Sequence, residues 1–154
     1  MKKSLIAFVV AFVLSIGVTI LTFAVRVSLV FLLQSNVAES LSIVTLLDLS
    51  FSFVGLAVFF VVFYSLAKKV KITASKLTII SILLGVILGP ITANFITLYS
   101  LAVVAHAEVA AAPLLLSLAA SSSVSNVFQF FLPALTALLF AELREKKLND
   151  SLTA

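Results

Sequence analysis

Four long uncharged stretches, separated by short polar breaks, organise this chain. Residues 4–33 carry no charge except Arg26, and 41–66 none except Asp48. Between them lies a polar turn, Gln34 to Ser40, and after them a basic loop, 67–76. Residues 76–105 are uncharged beyond Lys76, and 114–141 throughout, before a charged tail, 142–154. Each stretch exceeds the ~20 residues that a spanning helix needs. None shows the two-residue alternation of a membrane barrel strand. The pattern predicts an all-α integral membrane protein: a single-domain, four-transmembrane-helix bundle built from two in–out–in hairpins.

The third and fourth boundaries are less sharply drawn. From 100 to 123 the chain is nearly all Ala, Val, Leu and Ser. That composition leaves three arrangements open: longer helices, a segment lying on the outer surface, or a re-entrant piece. Pro113 suits the first position of a helix, which favours a long fourth helix.

Charge orients the pattern. Nine of the ten basic residues fall at Lys2–Lys3, at Lys68, Lys69, Lys71 and Lys76, and at Arg144, Lys146 and Lys147. The outer connections instead hold Glu39 and Glu108. A Lys/Arg excess marks cytoplasmic loops, so both termini and the middle loop are expected inside a multi-pass protein of the cell membrane. The uncharged run Leu5–Val25 outlasts the ~7–15 residues of a cleaved signal core and reads as a retained first span. Tyr64 and Tyr99 stand where helix ends meet head groups.

Composition narrows the chemistry. The chain is 63% hydrophobic and 10% charged, against roughly 45–50% and about 25% in soluble domains. The net charge of +4 comes from the clusters and implies anionic lipid surfaces, with no nucleic acid. There is no Cys, and His106 is the sole His. Thiol redox chemistry, iron–sulfur ligation and His-rich metal sites are thereby excluded within one chain. His106 and Glu108, two residues apart, would not share a helix face. No cofactor and no catalytic activity are expected.

Two rows of small residues stand out. Ser81, Gly85, Gly89, Ala93 and Thr97 recur every fourth residue in the third span, and Ala7, Ala11, Ser15 and Thr19 do so in the first. Such rows let helix backbones approach closely, either with each other or with a neighbouring subunit. Shifting the first hairpin by 72 places aligns Gly17 with Gly89 and Phe23 with Phe95, as a parallel duplication would.

Polar residues inside the spans form a second constellation. At ~1.5 Å per residue, Arg26 lies roughly 33 Å above its cytoplasmic end, Asp48 and Asn94 about 27 Å, and Asn126 about 24 Å. All four helices could thus contribute to one outer-leaflet layer. Arg26 and Asp48 are equidistant from Val37 and would meet as an ion pair locking the first hairpin, or line a pathway. Pro90 and Pro133 interrupt helical hydrogen bonding to the carbonyls of Val86 and Gln129, as packing kinks or as the broken helices of transporters. The Phe residues at 51, 53, 59, 60 and 63 point to several faces, for core or lipid.

Three functions compete. The first is a non-catalytic subunit that packs against other membrane helices in a larger complex or homo-oligomer. The second is a small ion or solute transporter or channel using the polar layer. The third is a self-assembling hydrophobic coat or filament protein.

Overall fold

The computed structural model describes residues 2–32, 37–105 and 112–153, with side chains described for 2–25, 46, 50, 53–97, 99–100 and 128–151. The described residues form four helices: α1 (Lys2–Leu32), α2 (Val37–Val70), α3 (Lys76–Ala105) and α4 (Ala112–Thr153). No strand occurs among the described residues. Three segments, Lys2–Val25, Phe53–Val70 and Lys76–Thr97, are long and apolar enough to cross a membrane. In such segments a helix satisfies every interior backbone N–H and C=O within the segment.

The helices outrun the uncharged spans. α4 continues through the charged tail to Thr153, 42 residues in all, or ~63 Å at 1.5 Å per residue. Pro113 falls in its first turn, where a missing N–H costs no helical bond.

Between α2 and α3 only residues 71–75 remain outside helices. Lys71 adopts φ 53°, the left-handed conformation that ends many helices. Ser75 starts α3 as an N-cap: its hydroxyl accepts the Thr78 N–H at 3.3 Å and its carbonyl the Ile79 N–H at 2.9 Å. Ile72 turns inward and is buried, anchoring the connection to the core.

The strongest pairings are α1 with α3 and α2 with α4, with lesser α3–α4 and α1–α2 contacts. Ala11 lies against Gly85 and Ser15 against Gly89, the same 74-residue step that separates Ser4 from Thr78. A constant step means that α1 and α3 run in the same direction. In the same sense Phe59 meets Phe130, and Tyr64 meets Phe140 further along both α2 and α4. The core has two textures. Small side chains fill the α1–α3 seam, while Phe63, Phe59 and Phe130 stack between α2 and α4. Ile82, Val86, Ala134, Ala137 and Leu138 complete the buried cluster.

Candidate helix-packing seam and polar positions

The four-residue spacing in α1 and α3 places each row on one stripe, and the structure sets the two stripes against each other. Ala7, Ala11, Ser15, Gly85, Gly89 and Ala93 are all buried, and Ser81 is half-buried. Closeness here is a matter of missing atoms. A Cβ on Gly85 would lie 2.8 Å from the Phe8 carbonyl oxygen and 2.9 Å from the Ala11 Cβ. On Gly89 it would lie 1.7 Å from the Ser15 Oγ and 2.9 Å from the Phe12 carbonyl oxygen. The Ser15 side chain therefore occupies the space that Gly89 leaves.

Polar bonds punctuate this seam. The Ser15 hydroxyl reaches the Phe12 carbonyl at 2.9 Å and, across the interface, the Gly85 carbonyl at 3.3 Å. Ser4 and Thr78 hydroxyls meet at 3.5 Å, and Ser75 joins Thr78 at 2.9 Å. Interhelical bonds of this kind contribute about 0.6 kcal/mol on average in membrane bundles, so close packing matters more than any one of them. The Thr19 hydroxyl, next in the α1 row, is buried without a hydrogen-bond partner.

The polar constellation is distributed over all four helices. Arg26 belongs to α1, Asp48 to α2, Asn94 to α3 and Asn126 to α4. Asn94 is half-buried, whereas the side chains of Arg26, Asp48 and Asn126 lie outside the described set. His106 and Glu108 also lie outside the described residues. Pro90 and Pro133 are both buried within continuous helices. The Ser15 bond goes to the Gly85 carbonyl, one residue before the Val86 carbonyl that Pro90 leaves without its helical donor. No cluster of three or more His, Cys, Asp or Glu that could hold a metal occurs among the described residues.

At the opposite end from the polar positions, the basic clusters converge. Lys3 Nζ donates to the Lys71 carbonyl at 2.9 Å, bringing the start of α1 to the α2–α3 connection. The Ala74 N–H donates to a Glu142 carboxylate oxygen, and Arg144 Nη1 to the Tyr64 hydroxyl at 2.7 Å. All nine basic side chains of the three clusters are exposed at this end.

Two features escape a reading of the sequence alone. Gly55 sits at a three-helix junction, where a Cβ would meet Phe130 Cε1 at 3.2 Å and Val18 Cγ1 at 3.5 Å. With Phe59, Phe63 and Ala67 it forms a buried four-residue row on α2. The fourfold spacing is a signal, but the surrounding Phe residues mask it. Phe53 and Phe60 are exposed on the same helix. The second feature is an open groove between α2 and α4, lined by apolar residues on both helices. Comparison of the chain with protein-family models, with curated proteins and with solved structures finds no match.

Proposed function

We propose that this protein is a non-catalytic, four-pass membrane protein that acts as a helix-packing subunit of a larger membrane complex or homo-oligomer. The observation that carries the reading is the composition of the described core. Phe59, Phe63, Phe130, Ile82, Val86 and Leu138 fill it, and the polar groups buried on α1 and α3 among the described residues are small hydroxyls, those of Ser4, Ser15, Thr19 and Thr78. A solute pathway needs polar groups converging on a wet centre, whereas a packing subunit needs a dry one. The small-residue rows face each other within the chain, so a partner would dock on the outer apolar faces instead. Those faces are extensive: Leu5, Val9, Val13 and Leu21 alone form an exposed row along α1.

In the proposed orientation both termini and the 71–75 connection face the cytoplasm, because the basic clusters share one end of the bundle. The fourth span is then the 114–141 part of α4, with its charged continuation in the cytoplasm. Single cysteines, introduced into a chain that has none, test this directly. Positions 34–39 should label from outside and 68–71 from inside; both loops labelling from one side would end the topology. Proteoliposomes holding the chain alone should pass no more ions than protein-free vesicles. Flux from the chain alone would instead establish the transporter reading.

A further inference from the structure

The α2–α4 groove opens laterally, with a volume of about 630 Å³. Its walls are Phe53, Leu56, Ala57, Phe60 and Val61 on α2, and Phe128, Leu132, Pro133 and Thr136 on α4. The one hydroxyl in the wall is already engaged, since Thr136 Oγ1 donates to the Leu132 carbonyl. What remains is an apolar slot of the size that small-molecule sites typically have.

Both walls lead from this slot to positive charge at helical spacing. On α2, Phe60 stacks on Tyr64 at 6.2 Å, and Lys68 follows four residues later. On α4, Thr136 is followed at the same spacing by Phe140 and then Arg144. Tyr64 ties the two tracks together. Its ring lies 6.1 Å from that of Phe140, and its hydroxyl takes the Arg144 hydrogen bond. Lys68 and Arg144 are exposed beyond this collar.

From these features we infer that the groove and its basic collar bind an anionic phospholipid of the cytoplasmic leaflet. One acyl chain lies in the groove, and the phosphate sits at Arg144 and Lys68. Depth agrees with this assignment. The near rim, Val61 and Thr136, lies ~10–12 Å below the two charges, and the far rim, Phe53 and Phe128, ~22–24 Å below, at 1.5 Å per residue. With a ~30 Å hydrocarbon core and interfacial layers of about 5–7 Å each, the inner-leaflet acyl zone spans ~5–22 Å below the charges, so the groove opens within it and its far rim reaches the bilayer midplane. Tyr64 falls at the boundary, where an aromatic ring with a polar tip is favoured. Charge complementarity selects the lipid class, because the collar presents two cations on the face to which the slot opens.

The inference rests on the proposed orientation, which the loop labelling tests separately. It does not depend on whether the protein has protein partners. The test uses the full chain in detergent micelles, titrated with dioleoyl phosphatidylglycerol or dioleoyl phosphatidylcholine and read by native mass spectrometry. The anionic lipid should bind more tightly. Arg144→Gln and Lys68→Gln should each remove about fivefold of that preference, the scale of one basic residue at a lipid surface. Ala57→Trp, which fills the slot, should weaken both lipids alike. Equal binding of the two lipids by the unaltered chain would overturn the proposal. A second readout needs no variant: phosphatidylglycerol with a diazirine on its acyl chain, photolysed in nanodiscs. Labelling should concentrate in 53–61 and 128–136. Labelling spread evenly over the outer faces of α1 and α3, or a second copy cross-linked through the groove, would refute the site.

Discussion

Replacing Gly89 by Ala adds one methyl group at the tightest point of the α1–α3 seam. That methyl would overlap the Ser15 Oγ at 1.7 Å and press on the Phe12 carbonyl oxygen and Ser15 Cβ at 2.9 Å. The hydroxyl can rotate away, but the carbonyl is backbone and the Cβ is fixed to α1. The helices must therefore part, or the Ser15 bond to the Gly85 carbonyl must break. Overpacking costs ~1–3 kcal/mol, and loss of the interhelical bond adds about 0.6 kcal/mol. Against this, Ala is favoured over Gly within a helix by ~0.8–1 kcal/mol. The net expectation is a loss of about 0.6–2.8 kcal/mol.

Gly17 supplies the control. It is exposed on α1, and an added Cβ there meets nothing within 4 Å. Gly17→Ala should therefore keep only the propensity gain, ~0.8–1 kcal/mol. Both variants can be measured by unfolding in mixed dodecyl maltoside–SDS micelles, followed by far-ultraviolet circular dichroism. Ser15→Gly in the Gly89→Ala background removes both the Oγ and the Cβ from the clash. It should recover most of the loss, with a coupling of at least ~1 kcal/mol. Gly89→Ala as stable as the unaltered chain, or a strictly additive cycle, would refute a seam set by missing atoms.

Other substitutions probe the remaining parts of the bundle by the same titration. Phe130→Ala should empty the space beside Phe59, whose ring lies 4.7 Å away. Its cost should fall below the ~3–5 kcal/mol of a water-soluble core, because lipid replaces water as the alternative environment; a null effect would mean that α2 and α4 do not pack through these rings. Lys71→Gly should stabilise by up to ~1 kcal/mol, since glycine enters the left-handed region without a Cβ penalty; a loss would count against the φ of 53°. Glu142→Ala removes the acceptor of the Ala74 N–H. It should cost ~1 kcal/mol and speed hydrogen exchange in residues 71–75; unchanged exchange there would show that the bond does not hold the connection.

The two small-residue rows were legible in the sequence because Gly, Ala and Ser at every fourth position stand out among Leu, Val and Phe. Spacing defines a stripe but carries no information about its partner, so the sequence left two readings, the rows facing each other or a neighbouring subunit, and the fold sets them against each other. The bundle pairs α1 most closely with α3 rather than with α2, its neighbour along the chain. The contact register is 74 residues rather than the 72 that aligns Gly17 with Gly89, so these two glycines are not counterparts across the seam. The α2–α4 half was hidden for a different reason. Phe occurs on every face of α2, and only the fold separates buried Phe59 and Phe63 from exposed Phe53 and Phe60. The length of α4 was obscured by the charges after Ala141, which end an uncharged span but do not end a helix. Leu, Arg, Glu and Lys all favour helix, and they carry it on to Thr153.

The central claim is that the protein works by association around a dry bundle, and the mass of the native assembly tests it most directly. The chain should be extracted at natural abundance into polymer-bounded nanodiscs, without detergent, and weighed by native mass spectrometry after release. The account predicts a particle heavier than one 16.4 kDa chain, containing further copies or other membrane proteins in fixed ratio. A solitary chain under those conditions would contradict it.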